Sequence, residues 1–243
     1  MLMLLSKEIR NFFTSITGYV VIIVFLLANS AFIWLFPGDM NILDTGYASL
    51  DSFFTFAPWI FLFLVPAITM RSFAEETKTG TMEFLLTKPI TNMQLVMAKY
   101  LGSLALVLLA LIPCLIFYYS VWALGNPPGN LDTGGTWGAF IGLFLLAAIY
   151  VAIGIFASSL TDNQIIAFII AFLISFFFYQ GFDFLATLPM LQHIDTFIMN
   201  LGINEHYKSI SRGVLDSRDI IYYLIVIVLF NLFTKTKLQS HTW

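Results

Sequence analysis

Six long apolar runs separated by short polar stretches organise this sequence, at positions 16–36, 52–70, 100–122, 137–160, 164–180 and 220–234. None of the six contains Asp, Glu, Lys or Arg. A helix needs about 20 mainly apolar residues to cross roughly 30 Å of hydrocarbon, where each backbone polar group must be bonded within the segment itself. The pattern therefore predicts six membrane-spanning helices, the last two being the shortest. Trp34, Trp122, Trp137, Tyr100, Tyr118, Tyr119, Tyr222 and Tyr223 stand near the ends of the runs, as rings that prefer the headgroup level should, whereas Trp59 lies deeper.

The polar stretches have patterns of their own. Over residues 1–14, Leu2, Leu5, Ile9, Phe12 and Phe13 recur at helical spacing while Ser6, Lys7, Arg10 and Asn11 fill the other face, which predicts an interfacial helix that elbows into the first span. Ala28-Asn29-Ser30 has the small-x-small form of a signal cleavage site, but the apolar run continues to Phe36 and is long enough to stay as a span. Thr91 with Gln94, and Thr161 with Gln164, have the spacing of capping boxes before the third and fifth spans. Pro58, Pro66 and Pro113 predict bends within spans, and Gly134, Gly138 and Gly142 put small residues one turn apart, permitting close helix contact. Between 181 and 219, Phe184, Leu185, Leu188, Leu191, Ile194, Phe197, Ile198 and Leu201 repeat at three-to-four spacing. Asp183, Pro189, His193 and Asp195 interrupt them, so a re-entrant or interfacial helix is expected there rather than a seventh span.

Composition narrows the class. Hydrophobic residues make up 59% of the chain and charged residues 10%, against about a quarter charged in soluble domains, so one all-α polytopic membrane domain over 1–243 is expected. With six crossings, Lys7, Arg10, Arg71, Lys78, Lys88, Lys99, Lys235 and Lys237 share one side, and Lys208, Arg212 and Arg218 the other. The positive-inside rule then makes both termini cytoplasmic. Cys114 is the only cysteine and lies in an apolar run, which excludes an internal disulfide or a cysteine metal site. A metal set of His193, Asp195, Glu205 and His206 lacks any recognised ligand spacing, and no basic footprint points to nucleic acid. No phosphate-binding Gly-x-x-x-x-Gly-Lys-Ser/Thr occurs, so neither ATP nor another cofactor is expected on this chain, and no nucleophile elbow marks an enzyme. Spans without ionisable residues also argue against an ion-coupled carrier.

The segment 71–96 is the most informative. Gly80 suits the left-handed residue that ends a helix, Thr81 suits the cap of a new one, and Pro89 discourages its continuation. A short helix presenting Glu83 with Phe84, Leu85 and Leu86 is expected, because a merely solvated loop has no need of such an apolar cluster.

Arg71-Ser72-Phe73-Ala74-Glu75-Glu76 after the second span, followed by Gly80-Thr81-Met82-Glu83-Phe84-Leu85-Leu86 and Pro89, resembles the ABC-2 class of ABC-transporter permeases. Lys7-Glu8-Ile9-Arg10, Phe13, Gly18-Tyr19 and the stretch His206 to Asp216 are similar, more narrowly, to the gliding-motility-associated permease subunit GldF. The resemblance implies a non-enzymatic transport subunit in the inner membrane, an exporter that binds a separate cytoplasmic ATPase and a second permease copy or a related permease, with room for an auxiliary gliding-motility subunit. It implies that Glu75, Glu76, Gly80, Thr81, Glu83, Phe84 and Leu85 couple the chain to the ATPase. It further implies that an external segment including Tyr207, Arg212, Gly213 and Asp216 closes the outer end of the path. The rival readings are an ATP-independent carrier or channel, and an integral-membrane enzyme using His193 or His206.

Overall fold

Charge-free runs force the backbone to satisfy itself, and the computed structural model, which describes residues 2–14, 16–83, 90–191 and 193–240, holds helices and turns but no strand among those residues. In chain order the helices are α1 (Leu2–Thr14), α2 (Ile16–Ser30), α3 (Ile42–Thr45), α4 (Asp51–Thr69), α5 (Ala74–Lys78), α6 (Asn92–Leu111), α7 (Leu115–Leu124), α8 (Thr133–Ser159), α9 (Gln164–Phe176), α10 (Phe182–Ala186), α11 (Asp195–Met199), α12 (Ile203–Ser211) and α13 (Ser217–Ser240). Six stretches are long and apolar enough to cross a membrane: Gly18–Leu35, Asp51–Lys78, Asn92–Leu124, Thr133–Ser159, Gln164–Ala186 and Ser217–Ser240. They coincide with the six predicted runs, and several reach past them into polar sequence. The chain is an integral membrane protein.

Local chemistry explains where the helices start and bend. Thr91 forms the expected capping box, its Oγ1 accepting from Gln94 N at 3.2 Å while Gln94 Oε1 accepts from Thr91 N at 3.1 Å. The third span therefore begins well before its apolar run, and Lys99 lies inside a continuous helix. The second expected box does not form. Asn163 caps α9 through its own side chain, which accepts from Ile165 N at 2.9 Å, and Thr161 only supports that residue by accepting from Asn163 N. Pro113 turns the third span into a short 3₁₀ segment between α6 and α7, whereas α4 runs unbroken through Pro58 and Pro66. A π-helical turn at Phe177–Gly181 carries the fifth span on into α10 and so brings Asp183 onto it.

The fourth span is the hub. In its most apolar stretch 78% of residues are buried, against 22% in the first and fifth spans, so α8 is a strut and those two are peripheral. It packs on α4, α6, α9, α12 and α13. Close approach is possible because its side-chain-free positions face neighbours: a Cβ on Gly154 would collide with Thr69 of α4, on Gly142 with Ile210 of α12, and on Gly138 with Gly213. The partner of Gly138 and Gly142 on this face is Gly135 rather than the expected Gly134. Gly213 takes a left-handed φ of +82° and presses its own backbone against Gly135, while a Cβ on Gly134 would meet nothing closer than Asp132 Oδ1 at 3.7 Å.

The long polar segment before the last span is not one helix. It breaks into α10, a 3₁₀ turn at Pro189–Leu191, α11 and α12, because Pro189 and the polar residues around it cannot continue the pattern. Its last piece, α12, lies across the glycine face of α8 with Ile203, Asn204, Tyr207 and Ile210 buried.

Overpacking at the α8 contact is the test of this geometry. Gly142→Ala is expected to cost about 1–3 kcal/mol of stability. Gly134→Ala, whose added methyl makes only an ordinary contact with Asp132, should stay within about 0.5 kcal/mol of the parent. Thermal unfolding of the detergent-solubilised protein measures both.

Candidate functional site at the charged end of the bundle

Where α4 ends, the chain must turn, and the turn leaves amide and carbonyl groups without intrahelical partners. One side chain from another span satisfies three of them. Ser158, near the end of α8, accepts hydrogen bonds from Phe73 N at 3.0 Å and Ala74 N at 3.1 Å, and donates to Met70 O at 3.0 Å. The serine is fully buried, so it clasps the start of α5 and the end of the second span to the fourth.

A second tie comes from the third span. Lys99 is 3% exposed, and its Nζ lies 2.9 Å from Glu76 Oε2 of α5, 3.1 Å from Glu8 Oε1 of α1 and 2.5 Å from Ser72 O. The Phe73 ring faces the same ammonium at 5.0 Å from its centroid. A buried ammonium is tolerated only when paired and hydrogen-bonded, so this contact set joins α1, the turn after α4, α5 and α6 at one atom. Two carboxylates share a single cation here.

Helix α5 then stops as the sequence predicts. Gly80 has φ +69°, Gly80 N donates to Thr77 O at 3.2 Å and Thr81 N to Glu76 O at 3.0 Å, the two bonds of a Schellman termination. The Thr79 hydroxyl reinforces it by donating to Glu75 O at 2.8 Å, and the Thr81 hydroxyl turns back to Glu76 O at 3.3 Å. Met82 and Glu83 are helical again. Glu75, Gly80, Thr81 and Glu83 are exposed, so these predicted residues form one outward strip, while Glu76 is turned inward to Lys99. Phe84 and Leu85 lie outside the described residues.

Behind the strip is a cavity of about 450 Å³. Lys7, Glu8, Arg71, Glu75, Glu76 and Lys99 carry its charge, and Phe12, Ala67, Ile68 and Leu106 form an apolar wall.

A family model described as ABC-2 family transporter protein matches residues 2–238. The chain belongs to that family. Comparison with curated proteins found no match. As an ABC-2 permease it is the membrane subunit of an ABC transporter, the class of subunit that works with an ATPase carried on another chain.

The predicted residues at the opposite end of the permease take different parts. Tyr207 is buried and donates to Phe54 O at 2.7 Å, tying α12 to the second span. Gly213 makes the backbone contact with Gly135, and Arg212 lines a separate cavity of about 300 Å³ with Asp51 and Asp132. The Asp216 side chain accepts from Arg218 N at 3.0 Å at the start of α13. His206 is clamped: Nδ1 is 2.7 Å from Asp219 Oδ1, Nε2 is 2.9 Å from Asn200 O, and the ring stacks on Tyr222. Both nitrogens are engaged by the fold itself, and His193 is exposed and elsewhere.

Sequence reasoning missed Glu8, Lys99 and Ser158. Lys99 was visible as a cation flanked by Met97, Ala98, Tyr100 and Leu101, a context in which only a paired ammonium survives. Ser158 carried no such signal.

Lys99→Met strands two part-buried carboxylates and is expected to cost about 3–5 kcal/mol. Glu76→Gln removes one of the two carboxylates and is expected to destabilise by less than Lys99→Met, because Glu8 still pairs the ammonium. Unfolding midpoints of the detergent-solubilised variants check both.

Proposed function

We propose that this permease is half of an ATP-driven exporter in the inner membrane, with both termini cytoplasmic, and that it couples to its ATPase through the strip Glu75, Gly80, Thr81 and Glu83, continued by Phe84 and Leu85. The observation that carries the reading is the Ser158 clasp. An exposed element is useful as a handle only if it cannot move independently of the spans, and α5 is bonded to α8 by Ser158 and to α6 by Lys99 through Glu76. Force applied at Glu83 by a moving ATPase would pass directly to the third and fourth spans as a rigid-body tilt. Glu76 belongs to this path as an internal link rather than as a contact surface.

Six spans supply half of the usual complement, so the assembly is two such permeases, identical or related, with two ATPase subunits. The excess of Lys and Arg at this end supports its cytoplasmic placement. The similarity of residues 7–19 and 206–216 to the gliding-motility permease supports a place in surface-gliding machinery, with an auxiliary subunit of that apparatus as a further partner.

Reconstitution of the permease with its ATPase tests the coupling. Glu83→Arg changes an exposed position that should stay folded and should lower transport-coupled ATP hydrolysis by about tenfold or more, a loss equivalent to about 1.4 kcal/mol. Ser158→Ala should retain ATPase binding yet lose coupling, since it orphans the amides of Phe73 and Ala74 at a cost of about 1–3 kcal/mol. Undiminished coupled hydrolysis in both variants would refute the handle.

A further inference from the structure

The cavity behind α5 has a composition that coupling does not explain. Its buried part holds Lys99 between Glu8 and Glu76, two carboxylates on one cation. Its rim holds Lys7, Arg71 and Glu75, all exposed, and none of the three forms an ion pair among the described residues. Two cations and one carboxylate are thus left facing the same opening. Beneath them the wall turns apolar through Phe12, Ala67, Ile68 and Leu106.

Depth fixes the medium that the opening meets. Ala67 and Ile68 belong to the last turn of the charge-free second span and Arg71 to the first turn beyond it; Leu106 is in the charge-free third span and Lys99 just before it. The cavity therefore straddles the plane where hydrocarbon gives way to headgroups, with the amphipathic α1 along one side. A free anion would suit the two cations but not the carboxylate or the apolar wall. A diacyl lipid with a zwitterionic amine headgroup suits all three: phosphate at Lys7 and Arg71, ammonium at Glu75, acyl chain along Ala67, Ile68 and Leu106. A primary ammonium offers three N–H donors to the carboxylate, whereas a trimethylammonium offers none.

We propose that this cavity is a binding site for the headgroup of an aminophospholipid of the phosphatidylethanolamine type, lodged between α1 and the turn after α4. The site shares Glu75 with the coupling strip proposed above, but its readout uses no ATPase, so the two proposals fail separately.

The test is native mass spectrometry and thermal unfolding of the full chain in nanodiscs of phosphatidylethanolamine, phosphatidylcholine or phosphatidylglycerol in a common diluent lipid. The expected result is a retained lipid with about a tenfold preference for phosphatidylethanolamine over either alternative, which is about 1.4 kcal/mol, and a higher unfolding midpoint in that lipid. Glu75→Gln should erase the preference over phosphatidylcholine, and Arg71→Gln should weaken retention of both. Both positions are exposed, so the variants fold. Equal retention of all three lipids, a preference for the anionic lipid, or variants that retain lipid as the parent does would each overturn the proposal. So would soluble glycerophosphoethanolamine binding as tightly as the lipid, because the apolar wall would then have no part.

Discussion

The need to neutralise one ammonium away from water shapes this end of the permease. Lys99 is held inside a helix whose neighbours on both sides are apolar, and an unpaired charge there would be too costly to keep. Its partners come from three directions: Glu8 from the N-terminal helix, Glu76 from α5 and the carbonyl of Ser72 from the turn. That requirement sets the rotation of α5. With Glu76 facing inward, Glu75 must face outward, and the exposed strip that begins there follows from helical geometry. It also fixes α1 against the third span, where amphipathicity alone would leave it free to slide along the interface.

The fourth span connects this cluster to the far end of the molecule. Its 27 residues make a rod of about 40 Å. Glycines at 135, 138 and 142 let α12 and Gly213 settle onto one end, and Ser158 clasps the turn after α4 at the other. Gly154 admits Thr69 close to that second contact. The rod therefore touches both ends of the helical bundle through positions where a larger side chain, or a missing hydroxyl, would break the fit. Tyr207, bonded to Phe54, closes a loop from the far end back to the second span.

The six spans were legible because exclusion of charge from about 20 consecutive residues has few explanations other than hydrocarbon. The end of α5 was legible because Gly80 and its following threonine leave the backbone little choice. Other features were not readable in one dimension. Thr161 with Gln164 has the spacing of a capping box, but the structure caps the helix with Asn163, whose Oδ1 accepts from the amide two residues on. Gly134 and Gly135 are adjacent, and helical phase, which begins at the Asp132 cap, decides which one faces α12. The Glu8 to Lys99 pairing spans 91 positions, and Ser158 reaches back over 85 to Phe73; no local pattern announces contacts of that range.

The hub position of α8 has a consequence for how the chain is made. Three of the helices that cover it, α9, α12 and α13, leave the ribosome after it does. The fourth span must therefore wait in lipid with its glycine-lined flank uncovered until synthesis has passed residue 213. A nascent chain arrested before then exposes a smooth, tightly packable surface to any neighbouring transmembrane helix, so the interval between the fourth and sixth spans is when this permease is most open to mispairing and to membrane quality control.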